Sequence, residues 1–264
     1  MKNLRRDLFE TDMVGALAID GGEVAESNLS VFLLEYLGEE LAGRVRAEIS
    51  EDLRFFRSLD PASTEYSEVQ ILSVRRGMAA VAAHRIFAAL LAEGGNLYDL
   101  EVVAKYVQKD TNVEIHPGAQ IGVPFAIDHG HGTVIGATTR IGKRNFIYHG
   151  VTLGASKRFT RVGRRHPLVG DNVFFGNGSQ VLGPSIIADD VKLACSVRVR
   201  DCEIGAGVHI AMDVRLAGVK VPAGVQVLGY DQEKLNRYLV RSSDNQDSAV
   251  EWRDLDAFDA ANVD

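Results

Sequence analysis

The chain has 264 residues, of which 46% are hydrophobic and 25% charged, and a formal net charge of −7. That length holds one large or two small domains with a real core, and the composition is that of an ordinary globular protein. The acidic balance argues against a nucleic-acid surface. Two cysteines, Cys195 and Cys202, make no disulfide framework and fit a reducing cytosol. No secretory leader is visible, and no apolar run reaches the roughly 18 residues of a membrane span. A cytoplasmic protein without a membrane segment is expected.

Residues 1–110 carry a helical pattern. Asn28–Leu37 places apolar residues at three- and four-residue steps, as does the Ala-rich stretch from Ile71 to Leu91. Pro61 and the polar run 63–68 break two helical stretches. Gly94-Gly95-Asn96 stops another, and a further helix is expected over Leu97–Gln108. The expectation for this part is an α-helical N-terminal domain.

From residue 111 the period becomes six. Ile115, Ile121 and Ile127 are evenly spaced, then Ile135, Ile141, Ile147 and Leu153. After a gap come Val169, Phe175, Val181, Ile187, Leu193 and Val199, and after a one-residue shift Ile204, Ile210 and Leu216. Glycine follows the apolar residue at 122, 136, 142, 154, 170, 176 and 205. One inward aliphatic per hexad is the signature of a parallel β-helix. Three hexads make a triangular coil, and stacking supplies the core that no single coil has. Folds of this repeat wind left-handed, so a left-handed β-helix is expected over 111–229, giving an α+β chain. Residues 230–264 form a tail expected to be helical or disordered. Its last stretch, 241–264, holds seven Asp/Glu and two Arg. Trp252 and Phe258 are candidates to patch a partner or the body of the protein.

The repeat breaks twice. The step from Ile127 to Ile135 is eight, in "AIDHGHGTVIG" at 126–136. Between Leu153 and Val169 lies a basic loop with Lys157, Arg158, Arg161, Arg164, Arg165 and His166. Insertions in a solenoid often build its binding surface. A loop this basic in an acidic chain suits an anionic or carboxylate ligand, although a merely solvated loop reads the same way. Asp128, His129 and His131 read as an acid/base group, as metal ligands with His149, or as surface polarity.

Four motifs in order, "VEIHPGAQIG", "DHGHGTVIG", "GVTLGASK" and "RRHP", closely resemble the serine O-acetyltransferase family of hexapeptide-repeat acyltransferases. The resemblance extends upstream to "DPASTEYS" at 60–67 and "AAHRI" at 82–86, and covers roughly residues 55–190. It implies transfer of an acetyl group from acetyl-CoA to the hydroxyl of L-serine, in cysteine biosynthesis. His129 matches the general base. Glu114 stands where the family has an aspartate that orients this imidazole, so the charge is kept on a longer side chain. Arg165 and His166 match the pair that binds the substrate carboxylate, and Asp60 and Asp128 match acids near its amino group and hydroxyl. On the donor side the resemblance points to Gly154, Ala155, Lys157 and Gly176, with no resident cofactor and no metal. A trimer, or a hexamer of paired trimers, is implied, with no nucleic-acid or membrane partner.

The chain departs from the family in places. Ala155 replaces a glycine, "FGNGSQ" and "LACSVR" replace glycine-rich coils, and further coils through "GVKVPAGVQVLG" at 218–229 replace the usual Ala-Gly-Val-Pro-Ala-Arg ending. The terminal Ile by which many members dock into cysteine synthase is absent, so that docking is not expected. His131 stands where the family has threonine and has no assigned role. Two other readings remain open on sequence alone. One keeps the serine-type acceptor with another acyl-CoA or a carrier-protein thioester as donor. The other is a non-catalytic homologue that binds an amino acid, a partner or a metal.

Overall fold

In the computed structural model the described residues are 24–156, 164–230, 237–242 and 250–258, with side chains from residue 37 onward. The chain forms a helical segment followed by a left-handed parallel β-helix. Two compact units result. One comprises residues 1–119 with 123–132, the other 120–122 with 133–264. The helical unit therefore includes most of the first coil.

Among the described residues four helices build the first unit: α1 (Val24–Leu59, broken at Gly38), α2 (Glu68–Val74), α3 (Arg76–Ala92) and α4 (Leu97–Thr111). Local chemistry sets their ends. Ser67 and Gln70 make a reciprocal capping box, and the Asn96 side chain caps α4. Asn112 ends α4 in the left-handed region. The expected single helical stretch over Ile71–Leu91 is divided at Arg75, which leaves helical geometry at φ −99° and ψ 87°. No glycine or proline marks that break. The Arg75 guanidinium instead reaches Asp60 and Ser63, both at 3.0 Å.

Helix α3 is buried on nearly every side, which explains its alanines. It carries two buried polar groups. Arg85 binds Asp52 with two hydrogen bonds (2.9 and 3.1 Å), and Asp52 also accepts from the Phe125 amide at 2.7 Å. Burial raises the Asp52 carboxyl above its usual range, against the opposing pull of Arg85 and the amide. His84 Nε2 donates to the Ala119 carbonyl at 3.1 Å, and burial, reinforced by the Arg85 charge, lowers its pKa to about 3. The imidazole is therefore neutral.

In the second unit short parallel strands stack in register. Gln180 pairs with Thr152 below and Arg198 above, Lys192 with Phe174 and His209, and Ile186 with Leu168 and Glu203. Gln180 to Arg198 spans eighteen residues, three hexads. The break after Leu153 lengthens its coil, so that Thr152 pairs with Gln180 twenty-eight residues on. Similarly Gln120 pairs with Arg140, twenty residues on. From Arg198 to Arg215 the coil shortens to seventeen, the one-residue shift seen in the repeat. The sixfold aliphatic column is buried from Ile135 to Leu216. Ile121, on the terminal strand of its sheet, is only half-buried. A second buried column, two residues earlier, includes Val151, Val173, Val197 and Cys202.

The tail differs from expectation. Among its described residues are two strands, Arg237–Ser242, antiparallel to Val225–Tyr230, and Glu251–Asp254, antiparallel to Arg237–Ser242. Alternation in "RYLVRS" explains the first, since Tyr238 and Val240 are buried. Arg237 lies over the Trp252 ring. The chain then crosses the last coil, where Lys220 N–H donates to the Asp256 carbonyl (2.7 Å) and Phe258 N–H to the Gly218 carbonyl (2.8 Å).

The depressed His84 pKa has a stability consequence. The unfolded ring titrates near the ordinary histidine value of 6.5 and the folded ring at about 3. His84's contribution is thus complete above pH 6.5 and is lost as pH falls toward 3, by about 1.4 kcal/mol per unit. Urea unfolding between pH 7.5 and 5 should show this slope in the wild type and a shallower one in His84→Gln. Equal slopes would remove His84 as the cause.

Candidate active site

The break at 128–132 is a loop in the first unit, following the strand Phe125–Ile127. His129 takes the left-handed conformation at φ 57°, a region that histidine enters more readily than most side chains. Its amide donates to Asp128 Oδ1 at 2.9 Å, and its Nε2 lies 3.6 Å from Asp128 Oδ2. The Asp128 side chain is 14% exposed and the imidazole 57%. The carboxylate is anchored while the ring stays open, an arrangement able to take up and return a proton.

Glycines hold this loop against the helices. A Cβ on Gly130 would stand 2.8 Å from the Val113 side chain and 2.9 Å from the Gly77 Cα. Gly132 N–H donates to the Asn112 carbonyl at 2.8 Å. "DHGHG" is glycine-rich because the backbone of α3 begins directly beneath it.

The other predicted acids of this unit are held by neighbours. Glu114 is half-buried and accepts from Gln108 Nε2 (2.8 Å) and Lys105 Nζ (3.2 Å), both on α4. Asp60 caps the short turn Pro61–Ser63, accepting from the Ala62 amide, Ser63 Oγ and Arg75.

In the second unit His166 is 5% exposed. Its Nδ1 accepts from the Thr138 amide at 3.2 Å and lies 2.8 Å from Thr138 Oγ1, which places the neutral ring's proton on Nε2. The ring lies against Gly136, where any Cβ would overlap it. Arg165 beside it is exposed. Arg164 points elsewhere, donating to the His166 and Pro184 carbonyls (3.3 and 3.1 Å). Burial, and then the nearby Arg140 charge, lower its pKa.

Of the predicted donor-side residues, Gly154 ends the strand Thr152–Gly154 and Ala155 follows it, exposed. Gly176 has a structural reason of its own. A Cβ there would come within 2.6 Å of the Ala194–Cys195 peptide on the next coil. Lys157 lies outside the described residues. Sequence reasoning missed Thr138, Gln108, Lys105 and Gly77. Only the glycine carried a signal, as a residue of low helix propensity near the start of the alanine-rich α3. Among the described residues no three His, Cys, Asp or Glu side chains converge as a metal ion needs, and no helix is long and apolar enough to cross a membrane.

Comparison with known proteins bears on the chemistry. The chain is 38% identical over 181 residues to a serine acetyltransferase of Mycobacterium tuberculosis, covering 69% of this chain and 72% of that protein. It is 39% identical over 152 residues to one from Helicobacter pylori, covering 58% and 86%. The chain belongs to the serine acetyltransferase family. Solved serine acetyltransferases share its architecture. The Neisseria gonorrhoeae enzyme in complex with serine aligns at TM-score 0.57 and 26% identity, covering 86% of this chain and 94% of that one. The soybean apoenzyme aligns at TM-score 0.54 and 26% identity, covering 85% and 90%. No family model matches the chain. As a member of the serine acetyltransferase family it is an acyl-transferring enzyme.

The contact between His166 and Gly136 is testable. Gly136→Ala should displace the ring from Thr138 and lower stability by about 1–3 kcal/mol, as overpacking does. Urea unfolding measures it, and an unchanged midpoint would mean the ring moves aside freely.

Proposed function

We propose that this chain transfers an acetyl group from acetyl-CoA to the hydroxyl of L-serine, with His129 as general base. The observation that carries the reading is the Asp128–His129 pair, an exposed imidazole beside an anchored carboxylate, in a chain that shares these motifs with serine acetyltransferases. In this mechanism the His129 imidazole takes the serine hydroxyl proton as the oxygen attacks the thioester carbonyl. The carbon–sulfur bond then breaks, and the departing thiolate receives the proton. Glu114 orients the ring and stabilises the imidazolium, as acid–histidine pairs do.

Arg165 and the Nε2–H of His166 suit the serine carboxylate, a planar anion that favours forked donors. Asp60 and Asp128 are assigned to the ammonium and hydroxyl. Gly154, Ala155 and Lys157 are assigned to the donor side, with Gly176 keeping the coil spacing there. The solved Neisseria relative holding serine supports an amino-acid acceptor. The product, an O-acetylated serine, is an activated precursor for cysteine biosynthesis in the cytoplasm. A trimer, or paired trimers, is the assembly this reading carries, with no resident cofactor.

Thiol release from acetyl-CoA in the presence of serine tests the reading, and a wild-type protein that releases none would sink it. His129→Ala should lower kcat by about 10²–10⁴-fold, the usual span for a general base, with folding intact by circular dichroism. His131→Ala should cost less than about tenfold. Equal losses would mean that the two roles are assigned wrongly.

A further inference from the structure

Arg165 and His166 are assigned to the substrate carboxylate, while Arg164, immediately before them, has no part in that assignment. Its surroundings differ from theirs. The side chain is half-buried, and burial, then the nearby Arg140 charge, lower its pKa. Among the described residues it joins no ion pair, and its Nε is buried without a hydrogen-bond partner. Such a placement of a cation costs stability. What it secures is read from the two hydrogen bonds it makes.

Both go to backbone carbonyls. One terminal nitrogen donates to the His166 carbonyl at 3.3 Å and the other to the Pro184 carbonyl at 3.1 Å. Pro184 belongs to the next coil, since Leu168 pairs with Ile186. The planar fork of the guanidinium can hold two acceptors at once, which a single ammonium does less well. Ahead of Leu168, whose amide donates to the Ser185 carbonyl at 2.9 Å, the Arg164 side chain already reaches that coil. From the coil below, Thr138 holds the His166 ring through Nδ1 at 2.8 Å. His166 is thus gripped by its ring on one side and by its carbonyl on the other. The backbone of Arg165 is caught between Arg164 and His166.

We propose that Arg164 is a positioning residue, which aims Arg165 and the Nε2–H of His166 at the acceptor's carboxylate by clamping their backbone to the next coil. The proposal rests on the carboxylate assignment above. Recognition of a planar anion by forked donors requires those donors to be held within about 0.5 Å of their working geometry. Arg165 is exposed and has no such support from its own side chain's burial. The buried, unpaired charge of Arg164 is therefore spent on geometry, not on contact with substrate.

The test is the steady-state kinetics of Arg164→Met and Arg164→Lys beside wild type. Methionine keeps an unbranched stem and removes both donors. Its KM for L-serine should rise about tenfold, the equivalent of one charge-assisted hydrogen bond. Its kcat and its KM for acetyl-CoA should stay within about twofold of wild type, because only acceptor binding is affected. Lysine keeps a donor for these carbonyls but not the fork, and should leave the KM for L-serine only about threefold above wild type. A general loosening of the fold would move both KM values together. An unchanged KM for L-serine, an equal rise for both substrates, or a lysine variant no better than methionine overturns the proposal and leaves acetyl transfer standing. If Arg164→Met does not fold, Arg164→Lys decides alone, and a KM for L-serine that is unchanged, or that rises together with the KM for acetyl-CoA, overturns the proposal. If the wild type releases no thiol, the proposed function fails, and calorimetry with L-serine tests Arg164 instead. About tenfold weaker binding by Arg164→Met would support the clamp, and equal Kd values, or no binding by the wild type, would overturn it.

Discussion

The second unit depends on one constraint: each coil must satisfy its backbone polar groups on the coils above and below. The amide of Gln180 bonds to the Val197 carbonyl, that of Arg198 to the Val214 carbonyl, and so on along the stack. A strand of two or three residues has no stability of its own, so register is everything. This is why Gly176 tolerates no side chain over the Ala194–Cys195 peptide. It is also why insertions appear only as detours between strands. The ten residues added to a coil after Leu153 leave Thr152 and Gln180 in register.

The first unit obeys a different constraint, the burial of charge. Asp52 and Arg85 are each almost fully enclosed, and desolvating such a pair is costly unless its hydrogen bonds are complete. The pair also grips the Phe125 amide, and so fixes the strand that leads into Asp128 and His129. Gly77 and Gly130 close the other side of that loop. The imidazole owes its exposed, left-handed posture to a helix packed against backbone.

The solenoid was legible in the sequence because its period is rigid. The buried column from Ile135 to Leu216 could be read by counting in sixes, and both breaks fell where the coils lengthen. The placing of Asp128 and His129 together at a break in the repeat was legible from adjacency, whereas the motif paired His129 with Glu114, whose hydrogen bonds go to Gln108 and Lys105. Other features were not. The break at Arg75 lacks glycine and proline, and it becomes intelligible only once the Asp60–Ser63–Arg75 cluster is seen. The partners of Glu114 and His166 are contacts between side chains or backbone groups separated by up to twenty-eight residues, which no local pattern announces. The tail misled for a compositional reason. Its acidic residues suggested a solvated coil, while the alternation that makes Arg237–Ser242 a strand is only six residues long.

The return of the chain over Gly218 and Lys220 has a consequence for how large this protein can be. A stack of coils is in principle endless, because its last rung presents the same unpaired amides and carbonyls as every rung before it. Here the segment around Asp256–Phe258 occupies part of that rung in antiparallel sense. A neighbouring molecule that tried to continue the stack would find those groups already taken. Coils can be added in evolution only beneath this lid, so lengthening the body must carry the terminal segment along with it. The fold thus separates growth within one molecule from growth between molecules, which keeps a fibre-forming geometry discrete.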